Sequence, residues 1–171
     1  MADIPTIAVW FSCGAASAVA AKKTLERYNN YNIRIINNYI AEEDIDNRRF
    51  LKDVEKWLGV KIEQAINPEY PMASAVGVWQ KRKYMSGVLG APCTEELKKE
   101  ARYIWEAAND FDYMVLGFTA DEKARHDDFV LGERDNVLPV LIDAGITKKD
   151  CYTIIREAGI LLPRIYEMGV S

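Results

Sequence analysis

The spacing of apolar positions predicts a chain in which short buried strands alternate with amphipathic helices. Short β-rich apolar runs, each typical of a buried strand, lie at residues 6–11, 32–40, 60–66 and 112–118. Apolar residues at helical spacing predict helices over residues 15–28, 46–58, 73–84, 94–108 and 147–157. This alternation predicts an α/β fold, with three layers (α/β/α) around a mostly parallel, doubly wound sheet.

The ends of these segments carry capping signals and breaks. Asp46 is the predicted N-cap of the second helix, and Gly59 is its predicted C-cap. Thr147 is the predicted N-cap of the last helix. Residues 119–135 are charged and irregular, which predicts a loop, and residues 159–171 predict an extended tail.

The composition fits one globular domain over residues 1–171. The chain is 49% hydrophobic and 28% charged, as is ordinary for a soluble protein. No run approaches the ~18 apolar residues of a membrane span. Because the N-terminus also lacks signal-peptide features, we expect a cytoplasmic protein without membrane contacts. The net charge of −4 gives no support for sequence-independent nucleic-acid binding.

The cysteines and the single histidine disfavour several kinds of site. Cys13, Cys93 and Cys151 are far apart and form no CxxC, so neither a disulfide framework nor a cysteine-only zinc site fits. With His126 as the one histidine, a histidine-based metal site is not expected either. Cys13, at a predicted helix start, is either a nucleophilic thiol or a small residue that fits its loop.

The segment Ser12–Ser17 (SCGAAS), between the first strand and the first helix, is the leading candidate site. Open parallel sheets bind ligands at the carboxyl ends of their strands. The small residues allow a ligand near the backbone, and the helix offers N–H groups and a partial positive charge to phosphate. The alternative is an ordinary strand-to-helix turn, because the pattern is neither GxGxxG nor a Walker loop.

This segment resembles the SGGxxS loop of PP-loop nucleotide-binding proteins, and later segments resemble one branch of them, the phosphoadenosine phosphosulfate (PAPS) reductase family. The resembling segments follow the family's order, at residues 43–59 (EDIDNRRFLKDVEKWLG), 90–98 (GAPCTEELK), 117–125 (GFTADEKAR) and 150–169. The resemblance implies a PP-loop-like (HUP) fold that binds an adenine nucleotide, either ATP or PAPS. It also implies that the phosphates meet Ser12, Cys13, Gly14, Ala15, Ala16 and Ser17, and that adenine lies near Asn38 and Ile40.

Two substitutions and one missing cysteine separate the chain from the active members it resembles. Ala16 stands where ATP pyrophosphatases of this type usually have aspartate, and Cys13 replaces the first glycine of the usual pair. PAPS reductases carry a C-terminal catalytic cysteine near Gly-Leu-His, and this sequence has none there. The resemblance therefore supports nucleotide binding more strongly than sulfate reduction.

Three residues are candidates for catalysis. Lys98 follows Cys93 at the family's CxxxxK spacing and is either a ligand for phosphate or sulfate or a solvated lysine. Arg125 and His126 follow the fourth predicted strand. Arginine can hold phosphate through paired N–H donors, and histidine can act as acid, base or oxyanion donor. The alternative for both is an ordinary surface loop.

Two charge clusters complete the set. The acidic residues Glu42, Glu43, Asp44 and Asp46 either hold Mg²⁺ beside a triphosphate or cap and solvate a helix. The basic residues 81–83 either face phosphates or an acidic partner, or form a solvated helix face.

The sequence leaves three hypotheses. The chain is an enzyme that cleaves ATP between the α- and β-phosphates to adenylylate a substrate, or that acts on PAPS. Alternatively it is a non-catalytic nucleotide-binding module or sensor, working as a homodimer or with a larger partner subunit. A third reading is an interaction scaffold that has lost nucleotide binding.

Overall fold

A sheet of parallel strands flanked by helices forms the framework of the chain. The computed structural model describes residues 3–38, 45–65 and 100–167. The elements in these residues are β1 (Thr6–Phe11), α1 (Ala15–Arg27), β2 (Asn32–Asn38), α2 (Ile45–Leu58), β3 (Ile62–Ala65), α3 (Ala101–Ala108), β4 (Tyr113–Val115), a 3-10 turn (Ala120–Glu122), α4 (Lys123–Gly132), α5 (Val140–Asp143), α6 (Lys148–Glu157) and α7 (Arg164–Glu167). None of the helices in these residues is long and apolar enough to cross a membrane. The predicted α/β class is confirmed.

The strand order of the sheet is β3-β2-β1-β4, with all strands parallel. β1 and β4 pair with Ile7 opposite Tyr113 and Val9 opposite Val115. The chain moves outward from β1 through β2 to β3, and then returns to the other side of β1 with β4. This change of direction lies between β1 and β4, and the crevice beyond the carboxyl ends of two such strands is the usual ligand site of open parallel sheets.

β1 is buried on both of its faces. Ile7 and Phe11 belong to the main core, where the ring of Phe50 stacks on Phe11 with centroids 6.2 Å apart. Ala8 and Trp10, on the opposite face, are 0% and 5% exposed. A strand that is buried on both faces requires a continuous apolar run rather than an alternating one. Burial of both faces of β1 agrees with a three-layer arrangement.

Helix α1 lies at the centre of the main core, because it packs against β1, α2, α5 and α6. Its buried face is rich in alanine, with Ala18 and Ala21 fully enclosed, so neighbouring elements can approach closely. Cys151 and Ile155 of α6 join the same cluster. Burial raises the pKa of the Cys151 thiol to about 12, which makes it an inert core residue.

The chain divides into two compact units. The first comprises Met1–Ile36, Asp44–Glu63 and Phe111–Ser171, and the second comprises Asn37–Glu43 and Gln64–Asp110. In the described part of the second unit, α3 buries Ala101 and Trp105, and the Asn109 side chain donates to the Trp105 carbonyl at 2.8 Å. The single domain expected from the sequence stays a prediction.

The prediction of an irregular loop over residues 119–135 is wrong. The structure has a 3-10 turn followed by α4 in this region. Thr119 and Glu122 form a capping box at the start, and Lys123 pairs with Asp127 at 2.7 Å, one helical turn further on. The mixed charges that suggested a loop are therefore partners at helical spacing.

Some predicted boundaries also need correction. Asp46 is not the N-cap of α2, because the helix begins one residue earlier and the Asp46 carboxylate bonds to the Arg49 side chain. The extended C-terminal tail is interrupted by the short helix α7. The C-cap Gly59 is confirmed by its φ of 73° and by its amide, which donates to the Glu55 carbonyl at 2.9 Å. The helix predicted over residues 73–84 lies outside the described residues.

We expect Thr147→Ala to lower the free energy of unfolding by about 1 kcal/mol. The Asp150 amide donates to the Thr147 hydroxyl at 3.2 Å, and the Thr147 amide donates to the Asp150 carboxylate at 3.0 Å. The substitution removes half of this capping box, and chemical denaturation followed by circular dichroism measures the change. The matched control is Thr153→Ala, on an exposed part of the same helix. Equal losses in the two variants would contradict the capping argument.

Candidate functional site

The segment Ser12–Ser17 turns the chain from β1 into α1. Cys13 has a φ of 61°, which lies in the left-handed region that favours glycine. Gly14 is the N-cap of α1, and this residue has no side chain that could cap the helix. Glycine, which the resembling loops carry at the position of Cys13, is the residue that such a turn favours. Cys13 is only 6% exposed, which supports the interpretation that its small side chain fits the loop.

Ser17 holds this loop together. Its Oγ accepts a hydrogen bond from the Ser12 amide at 3.0 Å and lies 3.2 Å from the Ser12 Oγ. It also donates to the Gly14 carbonyl at 3.2 Å. The structure thus brings the predicted loop residues together, and it gives the buried Ser17 hydroxyl a role in the shape of the loop.

The loop after β4 packs directly against the start of α1. A Cβ atom on Gly117 would lie 2.9 Å from the Ser17 nitrogen and 3.1 Å from the Ser17 Cα, so only glycine fits without a shift of the backbone. Because β1 and β4 are neighbours in the sheet, this contact joins the two loops at the change of strand order. The backbone at Gly117 is therefore one wall of the candidate site.

Tyr166 reaches the same loop from the C-terminal end of the chain. Its phenolic oxygen accepts a hydrogen bond from the Ala15 amide at 3.0 Å, and a Cβ on Gly14 would lie 3.1 Å from that oxygen. The Tyr152 ring packs edge-on against the Tyr166 ring. Burial raises the pKa of the Tyr166 phenol, so the phenol keeps a proton that it can donate to a further acceptor.

An ion pair between Asp46 and Arg49, here called the Asp46–Arg49 clasp, holds the segment that carries Tyr166. Arg49 Nε and Nη2 donate to the two Asp46 carboxylate oxygens at 2.9 and 3.0 Å. Nη1 donates to the Asp53 carboxylate, also on α2, at 2.8 Å. The guanidinium also donates to the carbonyls of Leu161 and Leu162 at 2.8 and 3.2 Å. These bonds use all the N–H donors of the side chain.

The clasp controls the ionisation of Asp46. Hydrogen bonds from the Arg49 side chain and then from the Arg164 amide, which lies at 2.7 Å, lower the pKa of Asp46 to about 2. Asp46 raises the pKa of the Arg49 guanidinium in turn. Because both Asp46 oxygens are already bonded, this member of the acidic cluster has a structural role. Residues 42–44 lie outside the described residues.

Arg125 and His126 lie on α4 and not in the surface loop that the sequence predicts. Arg125 donates to the Glu122 carboxylate at 2.5 Å, and its guanidinium lies 6.0 Å from the centroid of the Phe118 ring. His126 is 8% exposed and packs edge-on against the same Phe118 ring, with centroids 5.6 Å apart. Within the described structure, neither residue bonds to the loop after β1.

The other predicted site residues are only partly described. Asn38 is the last residue of β2, and its Oδ1 is buried without a hydrogen-bond partner among the described residues. The remaining candidates lie outside the described residues: Ile40, Lys81, Arg82, Lys83, Cys93 and Lys98. The described ranges contain no group of three or more His, Cys, Asp or Glu side chains that could hold a metal ion.

Gly117, Tyr166 and Arg49 all shape the site, although none of them is among the site residues predicted from the sequence. A glycine inside a strand-like run is a known signal of close backbone approach, and Gly117 carries that signal at the end of the fourth predicted strand. Tyr166 and Arg49 carry no such local signal. The Ala15 amide that Tyr166 meets, and the Leu161 and Leu162 carbonyls that Arg49 binds, are far away along the chain. These roles therefore follow only from the fold.

Comparison with known proteins adds no family to this picture. A scan against protein-family models finds no match for the chain, and a search of curated protein sequences finds none either. The class that the structure defines is an α/β protein with a parallel sheet and a candidate ligand site where the strand order changes direction.

We expect Gly117→Ala to lower the free energy of unfolding by about 2 kcal/mol, because the added methyl group would overlap the Ser17 backbone. The matched control is Gly132→Ala, where a Cβ would meet nothing within 4 Å. We expect the control to be neutral or slightly stabilising, since alanine is a better helix former than glycine. Chemical denaturation measures both changes, and equal effects would contradict the close approach at Gly117.

We expect Asp46→Asn to lower the free energy of unfolding by about 1 kcal/mol at pH 7, because it weakens charge-assisted hydrogen bonds that are partly exposed to solvent. The pKa of Asp46 is lower in the folded chain than its ordinary value. Its stabilisation is therefore full above about pH 4 and is lost as the pH falls toward about 2. Denaturation at a series of pH values should show that the free energies of unfolding of Asp46→Asn and wild type converge as the pH falls over that range.

The control for this series is Asp128→Asn, which removes an exposed carboxylate. We expect it to leave the free energy of unfolding within about 0.5 kcal/mol of wild type. A difference for Asp46→Asn that stays constant down to pH 2 would show that the clasp does not depend on the charge of Asp46.

Proposed function

We propose that this chain binds an adenine nucleotide, ATP or PAPS, with its phosphates on the loop Ser12–Ser17. The observation that carries the proposal is the position of this loop. It follows β1, leads into α1, and meets the Gly117 backbone where β1 and β4 lie side by side. Open parallel sheets bind nucleotides in such a crevice, and the amides and dipole of a helix N-terminus favour phosphate.

The hydrogen bonds of the loop support this proposal. The Ala15 amide already holds an oxygen, the phenolic oxygen of Tyr166, at 3.0 Å. The amide of Ala16 has no acceptor in the described part of the chain. A phosphate oxygen would accept from the Ala16 amide and from the Tyr166 hydroxyl, which would donate its proton. Tyr166 would thus join the site as a donor that the sequence analysis did not assign.

The proposed chemistry takes place at the nucleotide phosphates. Cleavage between the α- and β-phosphates of ATP would transfer the adenylyl group to a substrate and release pyrophosphate. With PAPS, the sulfuryl group would pass to an acceptor substrate and adenosine 3′,5′-bisphosphate would leave. Lys98 and Arg125 would stabilise negative charge on the phosphates, and His126 would donate or accept a proton. Mg²⁺ would enter with the triphosphate. Asn38 and Ile40 would hold the adenine.

A nucleotide-binding module or sensor without catalysis is the second candidate, and the surroundings of Arg125 and His126 favour it. Arg125 would have to leave its ion pair with Glu122 to reach a phosphate. His126 is enclosed against Phe118. In addition, Ala16 supplies no carboxylate to the loop. A homodimer or a larger partner subunit would then supply the missing groups.

Titration calorimetry with ATP, PAPS and AMP, each with and without Mg²⁺, tests the proposal. We expect wild type to bind at least one of them and Gly14→Val to abolish binding, since even a Cβ at Gly14 would lie 3.1 Å from the Tyr166 oxygen. Ser17→Ala should weaken binding about tenfold by loosening the loop. Gly132→Val is the control, at a position with open space around it.

Two results would contradict the proposal. One is the absence of binding for all three nucleotides, and the other is wild-type affinity in a folded Gly14→Val variant. Two product assays across candidate substrates then separate the two functions: pyrophosphate release with ATP, and adenosine 3′,5′-bisphosphate release with PAPS. Release of either product supports the enzyme, and nucleotide binding without release of either supports the module.

A further inference from the structure

A cavity of about 490 Å³ lies at the C-terminal segment that carries Tyr166. This volume is in the range of small-molecule binding sites. The cavity is lined by the start of α2, the end of α6, the segment after it and α7, through Asp46, Arg49, Arg156, Ile160, Leu161, Leu162, Arg164 and Tyr166. None of the loop residues Ser12–Ser17 lines it.

The lining of this cavity is positively charged, although the whole chain carries a net charge of −4. Arg49 and Asp46 neutralise each other. The N–H donors of Arg49 and both carboxylate oxygens of Asp46 are already used in hydrogen bonds. The guanidinium group of Arg156 therefore gives the cavity its charge. Arg156 is exposed and forms no ion pair within the described ranges.

One wall of the cavity is apolar. It is formed by Ile160, which is buried, and by the leucines Leu161 and Leu162. Leu161 is 77% exposed, so a large apolar side chain is in contact with water in the same cavity as the Arg156 guanidinium. A ligand that suits both features carries a negative charge at one end and an aliphatic body at the other.

We propose that this cavity binds a small organic carboxylate with an aliphatic body. Arg156 would hold the carboxylate through paired N–H donors, and Leu161 would cover the aliphatic body. Because Tyr166 lines the cavity and also bonds to the Ala15 amide, the bound carboxylate lies next to the loop after β1. The assignment goes beyond the proposed nucleotide site and does not depend on it.

Titration of the whole chain with hexanoate, in the absence of nucleotide and followed by calorimetry or ligand-observed NMR, tests the proposal. We expect hexanoate to bind at least about tenfold more tightly than hexanamide, which lacks the charge, or inorganic phosphate, which lacks the aliphatic body. Arg156→Gln should weaken hexanoate binding about tenfold. The matched control is Lys149→Gln, which removes the same charge from the same helix outside the cavity and should leave the affinity unchanged.

A second variant tests the apolar wall. Leu161→Gln should weaken hexanoate binding and leave acetate binding unchanged, because acetate lacks the aliphatic chain that Leu161 would cover. Both altered positions are exposed, and thermal unfolding verifies that the variants keep the fold.

Four results would overturn the proposal: no hexanoate binding, wild-type affinity in Arg156→Gln, an equal loss in Lys149→Gln, or phosphate or hexanamide binding as tightly as hexanoate. Because no nucleotide is present, none of these results bears on the nucleotide site.

Discussion

Burial of β1 on both faces is the constraint on which the rest of the structure depends. A strand enclosed in this way must be apolar along its buried length, as residues 7–11 of β1 are, and β1 has neighbours on both sides in the sheet. Helix α1 covers one face with an alanine-rich surface, and it must begin directly after the strand. The left-handed turn at Cys13 makes that change of direction possible. The candidate site is thus a consequence of how the core closes.

The Asp46–Arg49 clasp extends this arrangement to the C-terminal end of the chain. Partly exposed ion pairs contribute little to the free energy of folding by themselves. The role of this ion pair is to position a chain segment, because Arg49 also donates to the carbonyls of Leu161 and Leu162. It thereby places Tyr166 over the first amide of α1 and forms one side of the cavity beside it.

Tyr166 is common to both proposed sites. Its oxygen bonds to the loop after β1, and its side chain lines the arginine-rich cavity. A nucleotide phosphate on the loop and a carboxylate in the cavity would therefore be neighbours. An electrophilic phosphorus beside an anionic oxygen is the arrangement that adenylyl transfer to a carboxylate requires. The same closeness would let a binding module sense both ligands together.

The sequence by itself determined the α/β class, the bounds of β1 and the cap at Thr147, because apolar spacing and capping are local properties. It also located the loop Ser12–Ser17. Local patterns were misleading at α4, whose charged residues pair along a helix. Only the tertiary structure decided that Tyr166 meets this loop and that Gly117 lies against it. Those partners are far apart along the chain, and nothing in the neighbourhood of either one specifies the other until the sheet and helices have packed.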